Sequence, residues 1–236
     1  MARKPRILDA PNSSQPTAPE PPPRRWTPVC SAVLALSVVM FFLDGFLLRQ
    51  GLIPGGDWLE RVGKPLALYG PLIQQGQPWR VLTYAFEHGG PIHLLFNMSA
   101  AFTLGPSLER AIGSWRFLGL SLVTCVGSAA FALLFDFDQP TVGASGMILG
   151  WLGALLPIAP GYTRRQLGLW LLQIALISLI PGVSWAGHLG GVLFGLPCGL
   201  ALKMGKAVYA RALPLLLFIA AVAAVFAAYP ERRGGF

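Results

Sequence analysis

Apolar runs long enough to cross a bilayer recur along this chain, and they constrain its fold more than any other feature. A hydrocarbon core takes about 20 apolar residues in helical conformation, with a range of roughly 17 to 25. Helices suit that environment because every backbone N–H and C=O finds its partner within the segment. Seven runs stand out, at approximately 28 to 48, 91 to 108, 115 to 135, 144 to 160, 166 to 181, 184 to 202 and 207 to 229, the fifth being short. The class they predict is an all-α membrane protein. The composition agrees: 54% of the residues are hydrophobic and 12% charged, against about 25% charged in an ordinary soluble domain.

The remaining segments are read by their polarity. Residues 1 to 26 are polar and proline-rich, too poor in apolar surface to offset the entropy of ordering, and are expected to form a disordered tail. Between the first two runs lies a loop of about 50 to 90, with Gly51, Pro54, Trp58, Pro65, Pro71 and Trp79, which reads as interfacial. No short basic region and small-residue cleavage site precede residue 30, so the first run is expected to stay as an anchor. Cys30, Cys125 and Cys198 each sit within an apolar run without the spacing of a disulfide framework or metal knuckle.

The net charge of +8 is carried by small groups between apolar runs, not by a basic stripe interleaved with aromatics, which argues against a nucleic-acid partner. The groups read as topology signals. With the N-terminus inside, the inner side holds twelve basic residues, Arg3, Lys4, Arg6, Arg24, Arg25, Arg110, Arg116, Arg164, Arg165, Lys203, Lys206 and Arg211, and the outer side six, Arg49, Arg61, Lys64, Arg80, Arg232 and Arg233. Positive loops stay in the cytoplasm, so the expected topology is N-in, C-out. Fourteen arginines against four lysines, with abundant Ala, Gly and Pro, point to a GC-rich bacterium and hence to its inner membrane.

In that topology the second, fourth and sixth segments all enter from the outer side, and their polar residues gather at that depth. His93 and Asn97 open the second, Ser145 the fourth behind Gly143 and Ala144, and His188 the sixth behind Trp185, Ala186 and Gly187. Polar side chains inside a membrane are costly unless they face a bundle interior or a wet cavity. One Ser or His near a helix end reads as an interhelical hydrogen bonder; convergence from three segments reads as a site. The sixth segment also carries Gly187, Gly191, Gly195 and Gly199 at intervals of four, and the fourth carries Gly146, Gly150 and Ala154 at the same interval. Small residues so spaced let helix backbones approach closely.

Serine is a weak nucleophile unless a base takes its proton, and histidine suits that role near neutral pH. No acidic residue is placed to orient His188, so the residues predict a Ser145–His188 dyad, not a triad. A serine at a helix start brings its own backbone N–H and the positive end of the dipole to a developing oxyanion, and His93 and Asn97 add side-chain donors. Gly146 leaves room for a substrate backbone. A zinc site at His93 and Asn97 is disfavoured because asparagine is a poor zinc ligand, and no lysine follows the glycines as a phosphate-binding loop requires. No cofactor and no metal are expected.

These residues carry a family likeness. Over roughly residues 28 to 205 the sequence resembles rhomboid intramembrane proteases, through Trp79-Arg80, His88, His93-x-x-x-Asn97, Glu109-Arg110, Gly143-Ala144-Ser145-Gly146 and His188-x-x-Gly191-x-x-x-Gly195. The resemblance implies a rhomboid-like six-helix transmembrane bundle over 27–205, with one additional C-terminal transmembrane helix and short tail over 206–236. It implies a Ser145–His188 dyad in a wet cavity open to the outside, an oxyanion site from His93, Asn97 and the Ser145 amide, and transmembrane protein substrates met in the lipid bilayer. Trp79, Arg80, Glu109 and Arg110 would be structural supports, His88 structural in the main, and the fifth segment a mobile gate. Trp170 and Trp185 read as its latch or as interfacial anchors. The competing function is a rhomboid-like module that binds membrane helices without cutting them; a transporter is disfavoured by the lack of an inverted repeat.

Overall fold

A computed structural model describes residues 26–49 and 64–230, with the backbone alone for 45–49. The expected tail of residues 1 to 26 lies outside the described residues except for Trp26, as do residues 50–63 of the interfacial loop and 231–236 of the C-terminal tail. The described chain is helical: α1 (Pro28–Arg49), α2 (Gly70–Gln74), α3 (Arg80–Thr83) running into a 3-10 turn (Tyr84–Phe86), α4 (Pro91–Ile112), α5 (Ser114–Phe135), α6 (Ser145–Leu155), α7 (Gly161–Ile177), α8 (Trp185–Met204) and α9 (Lys206–Ala228). A single antiparallel bridge, Leu68 with Thr141, ties the loop before α2 to the loop before α6.

By length and apolarity three of these are fit to cross a membrane, Ser114–Phe135, Trp185–Met204 and Lys206–Ala228, while Pro28–Asp44 and Ser145–Leu155 are apolar but shorter. Large apolar side chains face outward on Pro28–Asp44 and Lys206–Ala228, among them Phe42, Leu215, Phe218 and Val222, as does Phe102 of α4. A surface of that kind belongs against lipid tails.

Three helices differ from the expected spans. The second run, expected over 91 to 108, continues to Ile112. The fourth run, expected over 144 to 160, is helical only over Ser145–Leu155. Its last turn gives way ahead of Pro157 and Pro160, since proline lacks the N–H that would continue the ladder. The fifth, expected over 166 to 181, covers Gly161–Ile177. Its added first turn carries Arg164, an exposed residue whose Nε donates to Leu156 O at 3.1 Å and Nη2 to Ala159 O at 2.9 Å, satisfying carbonyls left open past the end of α6.

The short helix is the centre of the bundle. Residues Gly146 to Ala154 of α6 are all buried, enclosed by α8, α5 and α4. Gly191, Gly195 and Gly199 of α8 lie against the backbone carbonyls of Gly146, Gly150 and Ala154, so that a Cβ on any of the three would overlap the carbonyl oxygen. The same partners show that α6 and α8 run parallel. The Cα hydrogens of Gly146 and Gly150 face a different neighbour, Ser128 and Thr124 of α5. Gly146 and Gly150 thus admit α5, while Gly191, Gly195 and Gly199 admit α6.

Polar residues fix the periphery. The buried Glu109 carboxylate, in the last turn of α4, accepts from Val29 N at 3.1 Å and Cys30 N at 2.8 Å, capping the start of α1 with an anion. Arg80, 1% exposed, donates from Nη1 to Ala67 O at 2.6 Å and from Nε to Gln77 Oε1 at 2.8 Å, closing the loop on itself. Lys64 pairs with Asp44 near the end of α1. α9 packs on α5 and α8, where Tyr209 donates to Arg116 O at 3.2 Å.

Candidate active site

Ser145 is the first residue of α6, and the backbone before it is bent to bring it there. Gly143 has φ of 116°, a left-handed value that costs glycine little. Its N–H donates to Tyr84 O at 2.9 Å, anchoring the approach to the 3-10 turn. A Cβ at Gly143 would lie 2.8 Å from His93 Nε2 and Cε1, so the position is restricted by space as well as by φ. His188 sits in the first turn of α8. Ser184 caps that helix, its hydroxyl accepting from Gly187 N at 3.1 Å, which sets the rotation that aims His188 inward.

The two side chains meet. His188 Nε2 lies 2.8 Å from Ser145 Oγ, and both residues are half-buried. That is the contact a nucleophile and its base require, made possible by the close approach of α6 and α8 a turn away.

His93 and Asn97 share the second helix end. The Asn97 side chain, 5% exposed, donates from Nδ2 to His93 O at 3.0 Å, leaving one amide hydrogen free of that bond. Gly89 N donates to His93 Nδ1 at 3.3 Å. In a neutral ring, an accepting Nδ1 puts the proton on Nε2, the atom that lies beside Gly143. His93 therefore turns a donor toward the segment that leads into Ser145. His88 does not join them. It is buried, with Nδ1 3.3 Å from Phe86 O and its ring at a 5.2 Å centroid distance from His93, so it touches the site only through His93. Burial, and then the neighbouring His93, lower its pKa to about 4.

The other singled-out residues lie apart from the dyad. Trp79 is half exposed, and Arg80, Glu109 and Cys30 serve the contacts already described. Trp185 meets Phe135 at a centroid distance of 5.2 Å; Trp170 lies on the open side of α7, of which Leu167 alone is buried. No group of three or more His, Cys, Asp or Glu that could hold a metal occurs among the described residues.

Sequence reasoning missed one partner. The second ring nitrogen of His188, Nδ1, lies 2.6 Å from Ser178 Oγ. Ser178 closes α7, a segment with no matching polar residue at the depth of the others, and its ten-residue separation from His188 has no helical period. A hydroxyl at the end of an apolar run was the available signal.

The comparisons with known proteins converge. A family model described as the Rhomboid domain matches residues 75–205, more than half of the chain. The chain is 35% identical over 182 residues to the rhomboid protease GluP of Bacillus subtilis (strain 168), covering 74% of this chain and 34% of that protein. It is 32% identical over 187 residues to Rhomboid-like protease 1 of Toxoplasma gondii, 72% of this chain and 63% of that one. To the mitochondrial RHOMBOID-like protein 6 of Arabidopsis thaliana it is 33% identical over 161 residues, 64% of this chain and 52% of the relative. The chain thus spans less than two thirds of the length of each of these relatives. Together with the apolar helices, the matched domain makes it an integral membrane protein, and on that domain the chain belongs to the rhomboid family.

Proposed function

We propose that this chain is an intramembrane serine endopeptidase, cutting peptide bonds in or near the transmembrane helices of other membrane proteins. The observation that carries the reading is the 2.8 Å contact between Ser145 Oγ and His188 Nε2 at the start of two packed helices. The relatives named as proteases add to it.

The chemistry follows from the atoms. Ser145 Oγ attacks the scissile carbonyl carbon while His188 Nε2 takes the hydroxyl proton. The carbonyl oxygen gains the electron pair and is met by the Ser145 N–H, an open donor of the first helical turn, with His93 Nε2–H and the free Asn97 amide hydrogen beside it. Collapse breaks the C–N bond, the leaving amine takes the proton from His188, and the acyl group remains as an ester on Ser145. Water, deprotonated by His188, attacks the ester carbon, the C–O bond to Ser145 breaks, and His188 returns the proton to Ser145 Oγ as the acid leaves.

The setting favours a helical substrate met within the bilayer. An 11-residue α6 is about 16 Å long, roughly half a 30 Å hydrocarbon core, so its first residue is sunk below one surface when its last nears the other. Arg164 at the end of α6, Lys203 at the end of α8, and Arg116 against Lys206 gather at the end of the bundle opposite Ser145. Positive ends face the cytoplasm, which favours an outward-facing site and a cytoplasmic N-terminus; the arginine-rich composition favours a bacterial inner-membrane home. In this reading 27–205 is a six-helix core and the helix from 206 is an addition to it.

The test is cleavage of a model transmembrane substrate by the purified protein. Wild type should cut; Ser145→Ala and His188→Ala should not, at unchanged expression. Cleavage by purified Ser145→Ala would end the proposal, and failure of Ser145 to react with a fluorophosphonate would favour a helix-binding module that does not cut.

A further inference from the structure

Among partners within the protein, one proton arrangement around His188 satisfies every donor. Ser178 Oγ has two neighbours, Ile174 O at 2.7 Å and His188 Nδ1 at 2.6 Å, and one proton to give. Ser145 Oγ has one hydrogen-bond partner among the described residues, His188 Nε2. If Ser178 donated to Nδ1, the neutral ring would carry its proton on Nε2 and donate to Ser145, whose own hydroxyl proton would then have no acceptor. If Ser178 donates to Ile174 O, the Nδ1–H donates to Ser178, Nε2 keeps its lone pair, and Ser145 donates to it. The second arrangement alone satisfies all three donors with partners within the protein.

We infer that Ser178 is a positioning residue for His188, accepting from Nδ1–H and so holding the imidazole in the tautomer that exposes a basic Nε2 to Ser145. This rests on the dyad reading and extends it. A neutral hydroxyl does here what a carboxylate does in a triad, fixing tautomer and ring orientation. The hydroxyl also marks the end of α7, whose side chains are otherwise mainly exposed, so the tautomer depends on the end of this helix staying docked.

The test uses the full-length protein with 15N-labelled histidine, in which three rings contribute and a His188→Gln variant identifies the His188 signals. Wild type should show a neutral His188 protonated at Nδ1; protonation at Nε2 in wild type overturns the inference without any variant. Ser178→Ala should move the population toward Nε2–H and slow fluorophosphonate acylation of Ser145 about ten-fold, the scale of one buried hydrogen bond, at unchanged half-saturating concentration. Ser178→Thr, which keeps the hydroxyl, should restore both tautomer and rate. Acylation of Ser178→Ala at the wild-type rate, or a Thr variant as slow as Ala, sinks the role of Ser178 alone. Wild-type labelling no faster than Ser145→Ala sinks the dyad, and the inference with it.

Discussion

Gly191 lies against the carbonyl oxygen of Gly146 so closely that a methyl group on its Cα would overlap it. This contact sits one turn beyond the 2.8 Å approach of Ser145 and His188, and the separation of the two helices sets both. Gly191→Ala must push α8 from α6, an overpacking change of about 1–3 kcal/mol. The expected result is a lower unfolding temperature in detergent and at least about a ten-fold loss of Ser145 acylation rate, since catalytic contacts tolerate little displacement. Gly168→Ala is the control: that glycine is helical in α7 with nothing within 4 Å of an added Cβ, and the change should be neutral or stabilising by up to about 1 kcal/mol. Equal behaviour of the two variants would remove the packing claim.

Glu109 makes a prediction of the opposite kind. Its carboxylate accepts from Val29 N and Cys30 N, and sixteen residues of α4 put it about 24 Å from His93. Glu109→Ala should destabilise by about 2–3 kcal/mol, through buried donors left open at the start of α1. Glu109→Gln, which keeps one acceptor oxygen, should cost about half of that. Thermal unfolding measures both, and acylation per folded molecule should stay at the wild-type level. A rate that fell with stability intact would assign Glu109 to the chemistry instead.

How much of this was legible in the sequence depends on whether a feature repeats. The bounds of α1, α5, α8 and α9 fall within about two residues of the apolar runs, because uninterrupted hydrophobic length is a local property. Ser145 and His188 were visible as polar residues at equivalent ends of two runs whose glycines share a period of four. The shortened α6 was not, since Leu156 and Ile158 are as apolar as the helix they leave and only Pro157 and Pro160 mark the end. Nor was the role of α5, where Ser121, Thr124 and Ser128 vanish into an apolar run although Ser121 accepts from Trp151 at 3.0 Å and Ser128 lies against Gly146. Ser178 escaped because its meeting with His188 depends on the turn between α7 and α8, a tertiary outcome with no periodic trace.

The oxyanion donors proposed beside Ser145 can be separated from their supports by kinetics. His93→Ala and Asn97→Ala should each lower kcat about 100- to 1000-fold on a transmembrane substrate with KM little changed, since an oxyanion donor acts in the transition state. The double variant should lose less than the product of the two, because both serve one oxygen. His88→Ala, whose ring reaches the site only through its 5.2 Å edge contact with His93, should lose far less. Equal losses at His88 and His93 would mean that the three act by shaping the loop, not by donating.

The loop also predicts a pH signature in stability. Burial raises the Glu87 carboxyl from 4.5 to about 7, and the His88 imidazole falls from 6.5 to about 4. Native Glu87 keeps its proton where the unfolded chain has released it, so its contribution is complete below about 4.5 and is lost as pH rises through about 7. Native His88 stays neutral where the unfolded chain is protonated, so its contribution is complete above about 6.5 and is lost as pH falls through about 4. Between about 4.5 and 6.5 the two slopes oppose, each at most about 1.4 kcal/mol per pH unit, and they nearly cancel. Glu87→Gln cannot titrate, so it lacks the Glu87 slope, and its stability should rise with pH relative to wild type across that window. Groups common to both proteins drop out of the difference between their unfolding temperatures, and that difference should move steadily against wild type from pH 4.5 to 7. A constant difference over this range would mean that Glu87 is ionised in the native loop.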